Sequence, residues 1–171
     1  LRARLALAGA FAPQRGTTLG QFGAALALGG SFGNEHARAD ATLALDVYPR
    51  VTSDDDGARV TLSELAPEVL LGAAMCADVL WIGVHAGLGV SFIALEAQTP
   101  RGAHASSDIR SPYARLGLDL ELPLVAGLSA RLALDAQARF VRETLTVNAT
   151  PITELARLRP TLQLGVVFRA P

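Results

Sequence analysis

At 171 residues, with a formal net charge of −1 and a pI near 6.3, the chain has room for one modest domain and no extended basic surface. Electrostatically driven nucleic-acid binding is therefore excluded. Half of the residues are apolar and the mean hydropathy is positive, which is high for a domain whose surface meets water, so part of that apolar surface is expected to face lipid. The basic residues are all Arg, the cation suited to pairing with carboxylates in a confined polar space; a GC-rich coding bias produces the same skew.

The first strand is expected over Arg2 to Phe11, with Leu5, Leu7 and Phe11 on one face and Arg2, Arg4, Ala6 and Ala8 on the other. The second, Gly20 to Phe32, sets Phe22, Ala24, Leu26, Leu28 and Phe32 against Gln21, Gly23, Ala25, Ala27, Gly29 and Ser31. Period-two alternation is what a pleated strand imposes, because successive side chains leave opposite faces. The third strand, Arg38 to Val47, opposes Arg38, Asp40, Thr42, Ala44 and Asp46 to Ala39, Ala41, Leu43, Leu45 and Val47. The fourth, Arg59 to Met75, begins with Arg59, Thr61 and Ser63 against Val60 and Leu62, and its phase is ambiguous at Glu64 to Pro67, where a bulge would shift the face by one residue.

The fifth strand, Val79 to Phe92, places Leu80, Ile82, Val84, Ala86, Leu88, Val90 and Phe92 opposite Trp81, Gly83, His85, Gly87, Gly89 and Ser91. In the sixth, Tyr113, Arg115, Gly117, Asp119 and Glu121 alternate with Ala114, Leu116, Leu118, Leu120 and Leu122. The seventh, Ser129 to Val141, carries Arg131, Asp135, Gln137 and Arg139 against Leu132, Leu134, Ala136, Ala138 and Phe140. Arg131, Asp135, Arg139 and Glu143 also have helical i, i+4 spacing, but every even position from Ala130 to Phe140 is apolar, which favours the strand. The eighth, Arg157 to Arg169, alternates up to Phe168, with Pro160 near its start where a missing donor matters least.

Short connections near Asn34 to Ala37, Ala77 to Asp78 and Pro123 to Gly127 alternate with longer polar ones near Ala12 to Thr18, Pro49 to Ala58, Thr99 to Ser111 and Asn148 to Leu155. In an up-and-down barrel the two sets collect at opposite ends, as in outer-membrane barrels with short periplasmic turns and longer external loops. Strands of about nine to eleven residues cross a hydrocarbon core, and closure is what pairs every backbone group there. The fold expected is all-β: an up-and-down antiparallel transmembrane β-barrel of about eight strands, forming one domain over residues 1–171. About eight strands leave an interior that side chains nearly fill. Its expected lumen charges are Arg2, Arg4, Arg38, Asp40, Asp46, Arg59, Arg115, Asp119, Glu121, Arg131, Asp135, Arg139, Arg157 and Arg159. Both signs in one lumen imply a salt-bridged plug, since buried charges require partners.

Two other folds compete. A transmembrane helix within Val69 to Leu95 would bury Asp78, at a cost of about 2.5–3.5 kcal/mol at a helix centre. A soluble lipocalin-like barrel would point Leu116, Leu118, Leu120, Leu132 and Leu134 into water. No basic and apolar leader with a small-residue cleavage site is recognisable, so the chain reads as a processed or trimmed product.

The tail Gln163, Gly165, Phe168, Ala170 resembles the C-terminal assembly signal of bacterial outer-membrane barrels: a polar residue, a glycine two later, then apolar residues three and five beyond it. Ala170 is a small final apolar residue, Pro171 runs past the usual end, and with 5% aromatics the interfacial girdles are thin. Over essentially its whole length the chain resembles the small OmpA/OmpX-type barrels. That resemblance implies outer-membrane lipid and the barrel assembly machinery as partners, and an outer-membrane location with both termini periplasmic.

Candidate chemistry is sparse. His104 with Ser106, Ser107 and Asp108 in an external loop offers a nucleophile and a base for lipid modification, but a solvated loop is the favoured reading. His85 falls on the inner face, where a hydrogen bond to a lumen carboxylate is expected. Asp54, Asp55 and Asp56 lack EF-hand spacing and read as an exposed acidic loop. Gly87 and Gly89 are followed by no helix to present amides to phosphate, and read as making room inside the barrel. Cys76, the single cysteine, has no intrachain disulfide partner and no companion ligands for zinc. No metal, cofactor or catalytic residue is expected, and the role is anchoring, envelope-stabilising or docking to other envelope proteins. A lipid-modifying enzyme and a narrow passive channel are the alternatives.

Overall fold

The computed structural model describes residues 2–13, 20–55, 58–99, 102–141, 144–147, 150–154 and 156–170. Ten strands follow in chain order: β1 (Arg2–Pro13), β2 (Gly20–Gly33), β3 (Ala37–Asp55), β4 (Ala58–Ala77), β5 (Leu80–Gln98), β6 (His104–Val125), β7 (Leu128–Arg139), β8 (Thr144–Val147), β9 (Thr150–Glu154) and β10 (Leu158–Arg169). Eight of them close a barrel in the order β1-β10-β7-β6-β5-β4-β3-β2, every pair antiparallel, while β8 and β9 form a separate hairpin inside the β7–β10 connection. The predicted eighth strand is therefore β10.

Closure is made by β10 against β1, in a register running from Arg4 opposite Arg169 to Phe11 opposite Leu162. Gly165 stands opposite Ala8, and a side chain at 165 would land on the Leu7 carbonyl and Ala8. Glycine is thus required for the two end strands to meet.

The alternation sorts as expected through the belt. Ala6, Ala8 and Ala10 of β1, Ala25 and Ala27 of β2, and Arg131, Ala133 and Asp135 of β7 are buried inward. Leu7, Leu28, Leu43, Leu71, Leu88, Leu116, Leu134 and Leu164 face out; Leu116 is 65% and Leu164 68% exposed. An apolar face this continuous exceeds what water-soluble monomers leave bare, and it makes the barrel a transmembrane one. No described helix is long and apolar enough to cross a membrane, and the 69–95 segment forms the end of β4, a turn at Asp78 and Val79, and most of β5.

The short connections fall where predicted. In the β2–β3 turn, the Asn34 side-chain oxygen accepts from the backbone N–H of His36 and Ala37, both at 2.8 Å. Asp78 turns the chain with φ of 57°, a conformation that Asp tolerates better than bulkier residues.

The upper parts of β3 to β6 depart from expectation. β4 keeps one phase throughout: Val60, Leu62, Glu64, Ala66, Glu68, Leu70 and Ala74 are all inward and buried. The register shift lies instead on β3, between Tyr48 and Val51. Above the belt the relation of polarity to face inverts, because the outer surface no longer meets lipid. There Val60, Leu62, Ile93, Leu95 and Ala97 form an apolar cluster on the inside, with Ala103, Ala105 and Ile109 against it. The predicted loop from Thr99 to Ser111 is strand from His104 onward. Asp54 and Asp55 end β3, while Asp56 and Glu143 lie outside the described residues.

Candidate functional site

The inward face of the belt is a column of ion pairs. At the end carrying the short turns, Glu121 collects three arginines: Arg38 Nη2 and Arg169 Nη2 lie 2.7 and 2.6 Å from Oε2, and Arg4 Nη2 lies 3.5 Å from Oε1. Arg4 also donates to Thr42 Oγ1 at 3.1 Å, and Arg38 pairs with Asp40 at 3.3 Å while its guanidinium sits 4.3 Å over the Trp81 ring.

The next tier centres on His85. Its Nδ1 is 2.5 Å from Asp119 Oδ2, and its Nε2 is 2.7 Å from Asp135 Oδ1, an ion-pair contact lacking hydrogen-bond alignment. Arg131 places Nε and Nη2 2.6 and 2.5 Å from Asp119 Oδ1 and donates Nη1 to Gln163 Oε1 at 3.0 Å. Gly117 makes this tier possible, because a side chain there would occupy the place of the His85 ring and the Asp135 carboxylate.

Above it, Arg115 is held between Asp46 and Glu68, each paired with one terminal nitrogen. The Tyr113 hydroxyl donates to Glu68 Oε2 at 3.0 Å, and Tyr113 also packs where a Gly89 side chain would stand. The uppermost tier gathers on Glu64: Arg159 Nη1 at 2.5 Å, Arg139 Nη2 at 3.3 Å and the Ser91 hydroxyl at 2.6 Å. Arg159 donates its other terminal nitrogen to Gln21 Oε1 at 2.9 Å, and its guanidinium lies 4.3 Å over the Tyr48 ring. The apolar cluster caps this tier.

Among the described residues, seven arginines (4, 38, 115, 131, 139, 159, 169) face seven carboxylates (40, 46, 64, 68, 119, 121, 135) in this column. Each burial is costly alone and supportable only in company. A cavity bounded by Arg4, Arg38, His85, Asp119, Glu121 and Arg131 holds about 20 Å³, space for about one water molecule.

Of the charges predicted for the lumen, Arg4, Arg38, Asp40, Asp46, Arg115, Asp119, Glu121, Arg131, Asp135, Arg139 and Arg159 stand in this column. Arg2, Arg59 and Arg157 are exposed, which corrects their placement there. Arg2 and Arg157 have the inward parity but sit at strand ends, at the barrel mouths. Arg59 lies on the outward row of β4, where the inverted pattern above the belt misleads the eye. Sequence reasoning missed Glu64, Glu68 and Arg169; the even parity shared with Leu70 and Ala74 was the available signal for the two glutamates. Of the tail residues, Gln163 is buried and bonded to Arg131, with a longer contact to Asp46, Phe168 faces out, and Ala170 N donates to Ala3 O at 3.1 Å.

His104, Ser106 and Asp108 occupy successive outward positions of β6 and are exposed, with Ser107 between them on the other face. No hydrogen bond joins them among the described residues, so the strand holds them apart rather than assembling a nucleophile and base. Cys76 Sγ contacts the Asp78 carbonyl at 3.3 Å. No group of three or more His, Cys, Asp or Glu among the described residues is placed to hold a metal ion.

No protein-family model and no curated protein sequence matches the chain. Solved structures do. A major outer membrane protein from Thermus thermophilus superposes with a TM-score of 0.64 at 14% identity, over 98% of this chain and 99% of that one. Ail, the attachment invasion locus protein of Yersinia pestis, gives 0.56 at 12% identity over 99% and 97%. The N-terminal β-barrel domain of Pseudomonas aeruginosa OprF gives 0.54 at 14% over 98% and 97%. Ail has also been solved in complex with the heparin analogue sucrose octasulfate. The chain is an eight-stranded, up-and-down antiparallel transmembrane β-barrel, with the architecture of small bacterial outer-membrane barrels.

Proposed function

We propose that the protein is a non-enzymatic anchor of the bacterial outer membrane, one barrel domain over residues 1–171, whose plugged lumen does not conduct and whose raised wall docks partners. The wall carries this reading. β3 to β6 are 19 to 22 residues long, whereas β1, β2, β7 and β10 have 12 to 14. The five to ten extra residues raise four strands by about 16–33 Å along the strand direction. β2 pairs with β3 only as far as Val47, and β7 with β6 only as far as Tyr113. The edges at 48–55 and 104–111 therefore continue beyond the closed barrel; among the described residues β8 lies beside β6 but pairs with β9 alone, and such unpaired edges accept an extended segment of another protein. The Ail complex with a heparin analogue supports ligand docking by this architecture.

In this reading the lipid-facing belt sits in the outer membrane, the short turns and both termini lie on the periplasmic side, and Gln163, Gly165, Phe168 and Ala170 are read by the barrel assembly machinery. Partners are other envelope or surface proteins. Co-purification from gently solubilised membranes tests the docking claim. A Ser106→Pro variant, which removes one edge donor because even-numbered β6 residues turn their backbone groups to the β7 side, should lose the partner while keeping its heat-modifiable barrel; undiminished recovery would reject the β6 edge as the docking site.

A further inference from the structure

At the upper margin of the belt, outward side chains from four adjacent strands fall in one row: Val47 beside Leu65, Leu65 beside Phe92, Phe92 beside Arg110. The next outward row carries Ser63, Ala94 and Asp108. Between them, where β3 bulges after Tyr48, runs an open groove of about 510 Å³. Its floor is apolar and continuous with the lipid-facing belt, so a membrane lipid reaches it without leaving the bilayer. Its rim carries one cation and one anion, Arg110 and Asp108, and among the described residues neither makes an ion pair. The Arg110 guanidinium lies 5.9 Å from the Phe92 ring centroid.

We infer that this groove binds a phospholipid whose headgroup carries both a phosphate and a primary ammonium, with the phosphate on Arg110, the ammonium on Asp108 and an acyl chain across Val47, Leu65 and Phe92. Arg110 and Asp108 are two positions apart, about 7 Å along a strand, a spacing that a phosphate and an ammonium two carbons apart can bridge. A purely anionic headgroup would meet the Asp108 carboxylate uncompensated. A soluble zwitterion would leave the apolar floor uncovered. The inference rests on the transmembrane placement of the belt; Asp108 and Arg110 lie within the β6 docking edge, but the lipid site uses their outward side chains and not the backbone groups of that edge.

The test is native mass spectrometry of the detergent-purified barrel with an equimolar mixture of phosphatidylethanolamine, phosphatidylglycerol and phosphatidylcholine. Wild type should retain phosphatidylethanolamine about tenfold over the other two, the effect of one charge-assisted hydrogen bond. Asp108→Asn should erase that preference, a ratio independent of how much protein folds. Arg110→Gln should lower retention of all three lipids, and Gln98→Ala, outside the groove, should change nothing. Equal retention of the three lipids by wild type, an unchanged ratio in Asp108→Asn, or displacement of bound lipid by millimolar free phosphoethanolamine would each overturn the assignment.

Discussion

Replacing Arg115 by Leu removes the cation shared by Asp46 and Glu68, whose side chains are 1% and 0% exposed. Two carboxylates are then buried with no cation between them, although Tyr113 still donates to Glu68. Breaking a buried pair in this way costs about 3–5 kcal/mol, most of it the penalty on the stranded charge rather than the worth of the bond. The control is the triple variant Asp46→Asn, Glu68→Gln, Arg115→Leu, which removes the stranded charges along with the cation and should recover most of the loss. Urea unfolding in lipid vesicles can be followed through Trp81, the single tryptophan, which stacks under Arg38. With a slope of about 1–3 kcal/mol per molar urea, the single variant should unfold at least about 1 M earlier than wild type. A single variant within about 1 kcal/mol of wild type, or a triple variant less stable than the single one, would refute the ion-pair account of the lumen.

Three further outcomes follow from the same geometry. Gly165→Val should prevent β10 from meeting β1, so the protein will not acquire a heat-modifiable form, whereas Leu164→Val on the outward face will; a normally folded Gly165→Val barrel would show that close approach is not required. Leu116→Arg, at mid-belt, should cost about 2–4 kcal/mol in vesicles, while Thr61→Arg above the belt should stay within about 0.5 kcal/mol; equal costs would remove the lipid boundary drawn between them. In planar bilayers the wild type should give no steady single-channel current, and reproducible conductance steps would contradict the plugged lumen.

The belt was legible in the sequence because lipid outside and charge inside make polarity and face coincide. β6 from Tyr113 to Leu122 shows it most plainly, with Arg115, Asp119 and Glu121 on one parity and four leucines on the other. Above the bilayer that coincidence ends. Val60 and Leu62 turn inward and Arg59 outward, so a rule tuned to the belt assigned Arg59 to the lumen and lost Glu64 and Glu68 in an apparent change of phase. Those two glutamates hold Arg115, Arg139 and Arg159, so in the upper half of the column only Arg115 had a visible partner, Asp46, while Arg139 and Arg159 had none. Which charge meets which was beyond reach in any case. Glu64 and Arg159 lie 95 positions apart, and only the barrel's closure and shear bring them together. The height of the wall was hidden for a related reason: polar outward residues from Ser106 to Arg110 look like loop when Ile109 is the one large apolar residue among their inward neighbours.

The measurement that bears most directly on the closed transmembrane barrel is migration of the detergent-folded protein in gels with and without boiling, paired with far-ultraviolet circular dichroism. A compact band that shifts on heating, together with a β-type spectrum, is the predicted result. A single heat-insensitive band, or a strongly helical spectrum, would contradict it.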